Sequence, residues 1–216
     1  MKKIGLVHAT MNSVNPILQA FQTYQPSADL VNVMDESLIW ELNKTNEITE
    51  NMIRRLVDIA GKAEDAGVNA ILFTCSSFSP YVPEIKKLFS VPVLSSDESM
   101  LKEAVNNGNE IGVIATVKKA GPTTTNLLYE EAEKNSKRIN VQTSVIPEAF
   151  QSLQKGDRTG HDNIIHSEIN KMKDEFDVVV LAQYSMSQSL NTYQEKSEVP
   201  ILTAPKVAAD SIVSLA

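Results

Sequence analysis

An α/β fold of two pseudosymmetric halves, each a parallel four-stranded sheet flanked by helices, is predicted by three features of the chain. The first is alternation, in which short apolar runs of strand length are separated by stretches whose apolar residues recur at helical spacing. The second is connection length: roughly 10 to 20 residues between strands are enough for crossover helices, which make neighbouring strands parallel and cover both sheet faces. The third is repetition. Ile111-Gly112-Val113-Ile114-Ala115-Thr116 echoes Ile4-Gly5-Leu6-Val7-His8-Ala9, residues 178–185 echo residues 70–77, and Val199-Pro200-Ile201-Leu202 echoes Val91-Pro92-Val93-Leu94. The separations are 107 residues for the Ile-Gly pair, 110 from Cys75 to Ser185 and 108 for the Val-Pro pair, which implies an internal duplication. The halves are residues 1–106, carrying the Cys75 strand, and 107–216, carrying the Ser185 strand, with the C-terminal helix able to pack on the first half.

Taken in order, Ile4 to His8 reads as a buried strand, and Asn15-Pro16 with Ile17, Leu18 and Phe21 opens an amphipathic helix. Leu30 to Met34 reads as the second strand, with Asp35 and Glu36 in the turn and helix start after it. From about Asn46, the positions Ile48, Met52, Ile53, Leu56, Ile59, Ala60 and Ala63 keep helical spacing, and Gly67 supplies a positive-φ stop. The Cys75 strand follows, then a helix opened by Pro80 and Pro83, the strand at Val91 to Leu94, and a helix near Asp97-Glu98. The same order begins again at Glu110.

A hydrophobic share of 42% with 22% charged residues suits a globular core. A formal charge of −7 argues against nucleic acid, whose binding needs an excess of Lys and Arg. No apolar stretch approaches ~18 residues, so no membrane span is expected. The N-terminus lacks the features of a secretory signal, and a lone cysteine fits a reducing compartment, so the expected location is cytoplasmic. No Gly-rich phosphate cradle or nucleotide fingerprint occurs, and His161 and His166 lack metal-ligand spacing, so neither a dinucleotide cofactor nor a metal is expected. Both histidines read as surface residues.

The apolar run 70–74 stops at Cys75, the only cysteine, and turns hydroxyl-rich in Ser76 and Ser77. Ligands of open parallel sheets sit beyond the carboxyl ends of the strands, so two facing sheets would bring Cys75 and Ser185 to opposite walls of one cleft. Taken alone, Cys75 also fits a buried structural cysteine. Thr116 with Thr123, Thr124 and Thr125 reads as a hydroxyl-lined anion site where a strand enters a helix, or as ordinary helix capping. His8 ends the first strand and is placed to raise the thiolate fraction of Cys75 or to donate a proton, although a lone histidine is more often structural. Lys118 and Lys119 either steer an acidic ligand or are solvated.

With both halves laid out, the chain resembles the aspartate/glutamate/hydantoin racemase superfamily. The resemblance rests on Ile4-Gly5-Leu6-Val7, Asp35-Glu36-Ser37-Leu38, Thr74-Cys75-Ser76-Ser77, Val91 to Leu94, Ile111 to Thr116, Asp177 to Leu181 and Val199 to Leu202. It implies a cofactor-independent enzyme in which a thiol from each half flanks a small carboxylate substrate. Taken with the reading of the residues themselves, it gives an expected site with Cys75, Ser185 and His8 as catalytic residues and Ser76, Ser77, Thr116, Thr123, Thr124 and Tyr184 as substrate-binding residues. A homodimer is left open. Two departures stand out. Cys75-Ser76-Ser77 replaces Cys-Asn-Thr, and Gln183-Tyr184-Ser185-Met186 stands for Gly-Cys-Thr-His, so the second thiol and its histidine are missing. A serine hydroxyl is no equivalent base without an activating partner. The expectation is therefore racemase-like proton chemistry carried by Cys75. The alternatives are single-thiol decarboxylation, cis–trans isomerisation of a small diacid, or a non-catalytic carboxylate-binding protein on the same scaffold.

Overall fold

The structure, a computed structural model, describes every residue except Lys119, so the steering role considered for Lys119 lies outside the described residues. The chain forms two compact units, Met1–Ser99 with Pro205–Ala216, and Met100–Ala204. In chain order the elements run β1 (Lys3–His8), α1 (Val14–Tyr24), β2 (Asp29–Met34), α2 (Ser37–Thr45), α3 (Glu50–Asp65), β3 (Ala70–Phe73), α4 (Val82–Ile85), β4 (Val93–Leu94) and α5 (Glu98–Asn107). Those that follow are β5 (Glu110–Ala115), α6 (Ala120–Lys134), β6 (Asn140–Val145), α7 (Pro147–Gln154), α8 (Arg158–Met172), β7 (Val178–Leu181), β8 (Ile201–Thr203) and α9 (Ala204–Leu215). Short 3-10 helices at Ser76–Tyr81 and Tyr184–Asn191 follow β3 and β7.

Both sheets are parallel and four-stranded, in the orders β2-β1-β3-β4 and β6-β5-β7-β8. The chain leaves the central strand toward one edge and returns on the other side, so each sheet has a switch point beside the carboxyl ends of its two central strands. In the first unit, Met52, Leu56, Ala60 and Ala63 of α3 pack on Val7, Ile71 and Phe73. In the second, Ile165, Ile169 and Met172 of α8 pack on Ile114, Val179 and Leu181. The repeated glycine has a packing cause: a Cβ on Gly5 would lie 2.9 Å from the Ala63 Cβ, and one on Gly112 would lie 3.1 to 3.2 Å from Phe176 and Met172.

Local chemistry shifts some boundaries. The long helix starts at Glu50, because the Thr49 hydroxyl accepts from the Met52 N–H as its cap. Asn46 instead closes α2 in the left-handed conformation, with φ 56°. Gly67, at φ 74°, ends the α3 segment as its position suggested.

The register also corrects one pairing. Gly5 lies opposite Ile71 and Val7 opposite Phe73, while Gly112 lies opposite Val179 and Ile114 opposite Leu181. Two residues beyond Phe73 is Cys75, and two beyond Leu181 is Gln183. Each caps the following 3-10 helix in an extended conformation, at φ −117°, ψ 111° for Cys75 and φ −129°, ψ 147° for Gln183. The counterpart of Cys75 is thus Gln183, while Ser185 takes the place of Ser77. Matching hydroxyl-rich runs by residue type sets Ser185 two positions too far along the chain; the hydrogen-bond ladder allows no such slip.

Candidate active site

Cys75 stands one residue past a fully buried strand and a buried Thr74, where the backbone turns into the 3-10 helix and leaves the side chain half-buried. Burial pushes its thiol above the ordinary range. Hydrogen bonds from the Ser77 backbone and hydroxyl pull it back, and the Asp97 carboxylate adds to the rise. The resting group is therefore the protonated thiol, a ready proton donor and a base only as pH climbs. Sequence reasoning passed over Asp97. It is buried just ahead of α5, with the Ser79, Ser95 and Ser96 hydroxyls donating to its Oδ1. Burial lifts its carboxyl as well, against those hydroxyls. The signal was Ser95-Ser96-Asp97 directly after β4, which reads most simply as a helix start.

His8 is buried at the end of β1, where Nε2 lies 3.0 Å from Asn32 Oδ1 and Nδ1 lies 2.8 Å from Thr74 Oγ1 and 3.3 Å from Ser13 Oγ. With Nε2–H donated to Asn32, Nδ1 accepts from the Thr74 hydroxyl. Burial lowers its pKa, with the Asn32 contact opposing, so the ring is neutral imidazole near pH 7. The groups acting on the Cys75 thiol are Ser77 and Asp97, whereas His8 ties β1 to β2 and β3. Ser76 and Ser77 are half-buried in the first turn after Cys75.

In the second unit, Thr116 is buried one residue past β5, and its backbone N–H donates to Gln183 Oε1 at 2.9 Å. Thr116 Oγ1 and Gln183 Nε2 are buried without a hydrogen-bond partner among the described residues. Tyr184 is buried, with its carbonyl accepting from Ser187 Oγ at 2.8 Å, and Ser185 is half-buried beside it. Thr123 and Thr124 lie within the first turns of α6, half-buried and buried. Thr125 donates to the Gly121 carbonyl at 3.0 Å and lies 2.6 Å from Thr143 Oγ1.

The two surface histidines are corrections. His161 is fully buried with Nδ1 2.7 Å from Asp162 Oδ1, and His166 is half-buried with Nε2 2.7 Å from the Ser189 carbonyl. Both sit on faces of α8 turned toward protein, His161 in step with Ile165 and Ile169. Among the described residues, no cluster of three or more His, Cys, Asp or Glu could hold a metal ion, and no helix is long and apolar enough to cross a membrane.

The family model for Asp/Glu/Hydantoin racemase matches residues 5–212. The chain belongs to the Asp/Glu/hydantoin racemase family. This racemase-family chain is 22% identical over 170 residues to the broad specificity amino-acid racemase RacX of Bacillus subtilis (strain 168), covering 76% of this chain and 72% of that protein. Its fold is shared with an aspartate racemase homologue from Pyrococcus horikoshii OT3, at TM-score 0.79 and 15% identity over 100% of this chain and 99% of that one. An allantoin racemase from Klebsiella pneumoniae gives TM-score 0.74 at 12% identity, over 100% and 87% of the two chains. Against the two-thiol pattern that the resemblance implies, this member of the family keeps the first thiol as Cys75 and carries an amide, Gln183, at the second place.

Proposed function

We propose that this member of the racemase family is a cofactor-independent enzyme that moves a proton at a carbon beside a carboxylate, with Cys75 as its one thiol acid–base. The observation that carries the reading is the register: a thiol stands at one switch point, and at the equivalent place an amide stands, which neither takes nor gives a proton near neutral pH. Proton transfer is then one-sided. The raised thiol favours delivery of the S–H proton to a carbanion or enolate, with the thiolate reprotonated from water. Abstraction by the thiolate grows as pH rises. This favours exchange with retention, or protonation after loss of a carboxylate, over symmetrical racemisation. Ser76 and Ser77 offer hydroxyls to the substrate carboxylate, a lone thiol stays reduced in the cytoplasm, and the substrate is a small carboxylate.

The test is deuterium incorporation at the α-carbon in D2O across amino acids, hydantoins, malonates and unsaturated diacids. Cys75→Ala is expected to lose roughly 10²- to 10⁴-fold in rate, the share that general acid–base catalysis commonly supplies. If a carboxylate raises the melting temperature of wild type and Cys75→Ala equally, and neither exchanges anything, the chain is a binding protein and the proposal fails.

A further inference from the structure

Three side-chain atoms of the second unit are buried without a hydrogen-bond partner among the described residues: Thr116 Oγ1, Gln183 Nε2 and His161 Nε2. Native interiors seldom leave such groups unpaired, so three in one unit need a physical reason.

Strand alternation brings them to one face. Gly112 and Ile114 of β5 face α8, as the contacts of Gly112 with Met172 and Phe176 and the packing of Ile114 with Ile165 and Ile169 record. Ala115 faces the other way, since a Cβ on Gly121 of α6 would lie 3.6 Å from its Cβ. Thr116 therefore returns to the α8 side. On β7, Val179 and Leu181 share the α8 cluster, and Gln183 is next in that series. A crossover helix runs against the strands it joins, so the first turns of α8 lie at their carboxyl ends. His161 stands there, on the helix face of Ile165, Ile169 and Met172. From Met172 to His161 the helix climbs roughly 16 Å at 1.5 Å per residue, and from Gly112 to Thr116 the strand climbs roughly 13 Å. His161 thus arrives at the level of Thr116 and Gln183.

Packing alone does not ask for a histidine. The inward residues of α3, Met52, Leu56, Ala60 and Ala63, have the spacing of His161, Ile165, Ile169 and Met172, and Gly5 meets Ala63 as Gly112 meets Met172. The counterpart of His161 is Met52, fully buried and apolar, and the counterpart of Thr116 is Ala9. The ring is also held in place. Its Nδ1–H donates to the Asp162 carboxylate, whose Oδ2 accepts from the Thr192 hydroxyl at 3.4 Å. That fixes the ring's orientation and leaves Nε2, an acceptor in the neutral ring, to another partner.

We propose that Thr116, Gln183 and His161 line one buried polar pocket at the carboxyl end of the second sheet, which takes an uncharged ligand group that both accepts and donates a hydrogen bond, a primary carboxamide in its smallest form. The amide oxygen accepts from Gln183 Nε2 and the Thr116 hydroxyl, and the amide N–H donates to His161 Nε2. A carboxylate has no proton for Nε2 and meets the charge of Asp162. The pocket rests on the proposed function only in taking the carboxyl ends of the strands as the ligand side.

The experiment uses the full chain carrying Cys75→Ala, with 15N-labelled histidine, and the isosteric probes asparagine and aspartate in both enantiomers. Asparagine is expected to shift the His161 Nε2 resonance, assigned by its loss in His161→Met, and to raise the melting temperature, while aspartate does neither. His161→Met is expected to melt no lower than its parent, since methionine fills the equivalent place in the first unit, and to bind asparagine at least about tenfold more weakly. The proposal is overturned if aspartate matches asparagine, if no probe moves Nε2 so that a buried water alone satisfies it, or if His161→Met melts well below its parent and the ring proves structural. Because binding is read without the thiol, failure here leaves the Cys75 chemistry standing, and loss of exchange there leaves the pocket standing.

Discussion

The two units follow one chain path and differ in what they set at the carboxyl ends of their central strands. Where the first has Ala9, Met52 and Cys75, the second has Thr116, His161 and Gln183. The apolar surroundings of the first unit, with Asp97 nearby, hold the thiol protonated. The second unit sets hydrogen-bonding groups there: the Gln183 carbonyl satisfies the Thr116 N–H, and its amide nitrogen has no partner among the described residues. In the proposed reading, one architecture carries a proton donor in one copy and a set of polar contacts in the other. Duplication fixes where a site lies and not what it does.

The comparison can be broken at its strongest point by moving the thiol. Gln183→Cys in a Cys75→Ala background is expected to keep the fold and to place its thiol as Cys75 is placed, whereas Ser185→Cys should not substitute for it. Any exchange that returns should do so with Gln183→Cys at least about tenfold above Ser185→Cys, read by deuterium incorporation. Exchange restored by Ser185→Cys alone would break the register argument.

A second prediction concerns the close approach of α3 to β1. Gly5→Ala should cost about 1–3 kcal/mol, because the added methyl meets the Ala63 Cβ at 2.9 Å and neither backbone gives way easily. Gly61→Ala, within α3 and with nothing within 4 Å of its Cβ, should instead gain about 0.5–1 kcal/mol. Urea unfolding of the two variants beside wild type checks both signs.

The smallest expected effect is electrostatic. Asp97→Asn removes a carboxylate that raises the Cys75 thiol, so the pH midpoint of Cys75 alkylation by iodoacetamide should fall. Asp97 also holds its proton more tightly folded than unfolded. Its contribution to stability is present below the unfolded value and is lost as pH rises through the folded one, and Asp97→Asn should flatten that part of the melting-temperature profile. An unchanged alkylation midpoint would remove Asp97 from the account of the thiol.

Much of the fold was legible because parallel sheets write themselves as spaced apolar runs, and the glycine in Ile4-Gly5 and Ile111-Gly112 recurs where a helix crosses the central strand. The family followed from the order of those runs. The site was less legible. Residue type suggested Ser185 as the counterpart of Cys75, whereas backbone pairing selects Gln183, a two-residue difference invisible without the ladder. His161 could have been found by counting 161, 165, 169 and 172 along one helical face, but the polar Arg158, Asp162 and Asn163 around it mask that periodicity. Asp97 was hidden because Ser-Ser-Asp before a helix serves as a cap far more often than as a buried carboxylate nest.

The stereochemical course of α-proton exchange in D2O tests the central claim most directly, with wild type and Gln183→Cys compared on each enantiomer of a substrate that exchanges. Wild type is expected to incorporate deuterium with retention, losing it with Cys75→Ala, and Gln183→Cys is expected to release both enantiomers labelled. Full racemisation by wild type at the rate of its exchange would contradict an account in which one thiol works from one side.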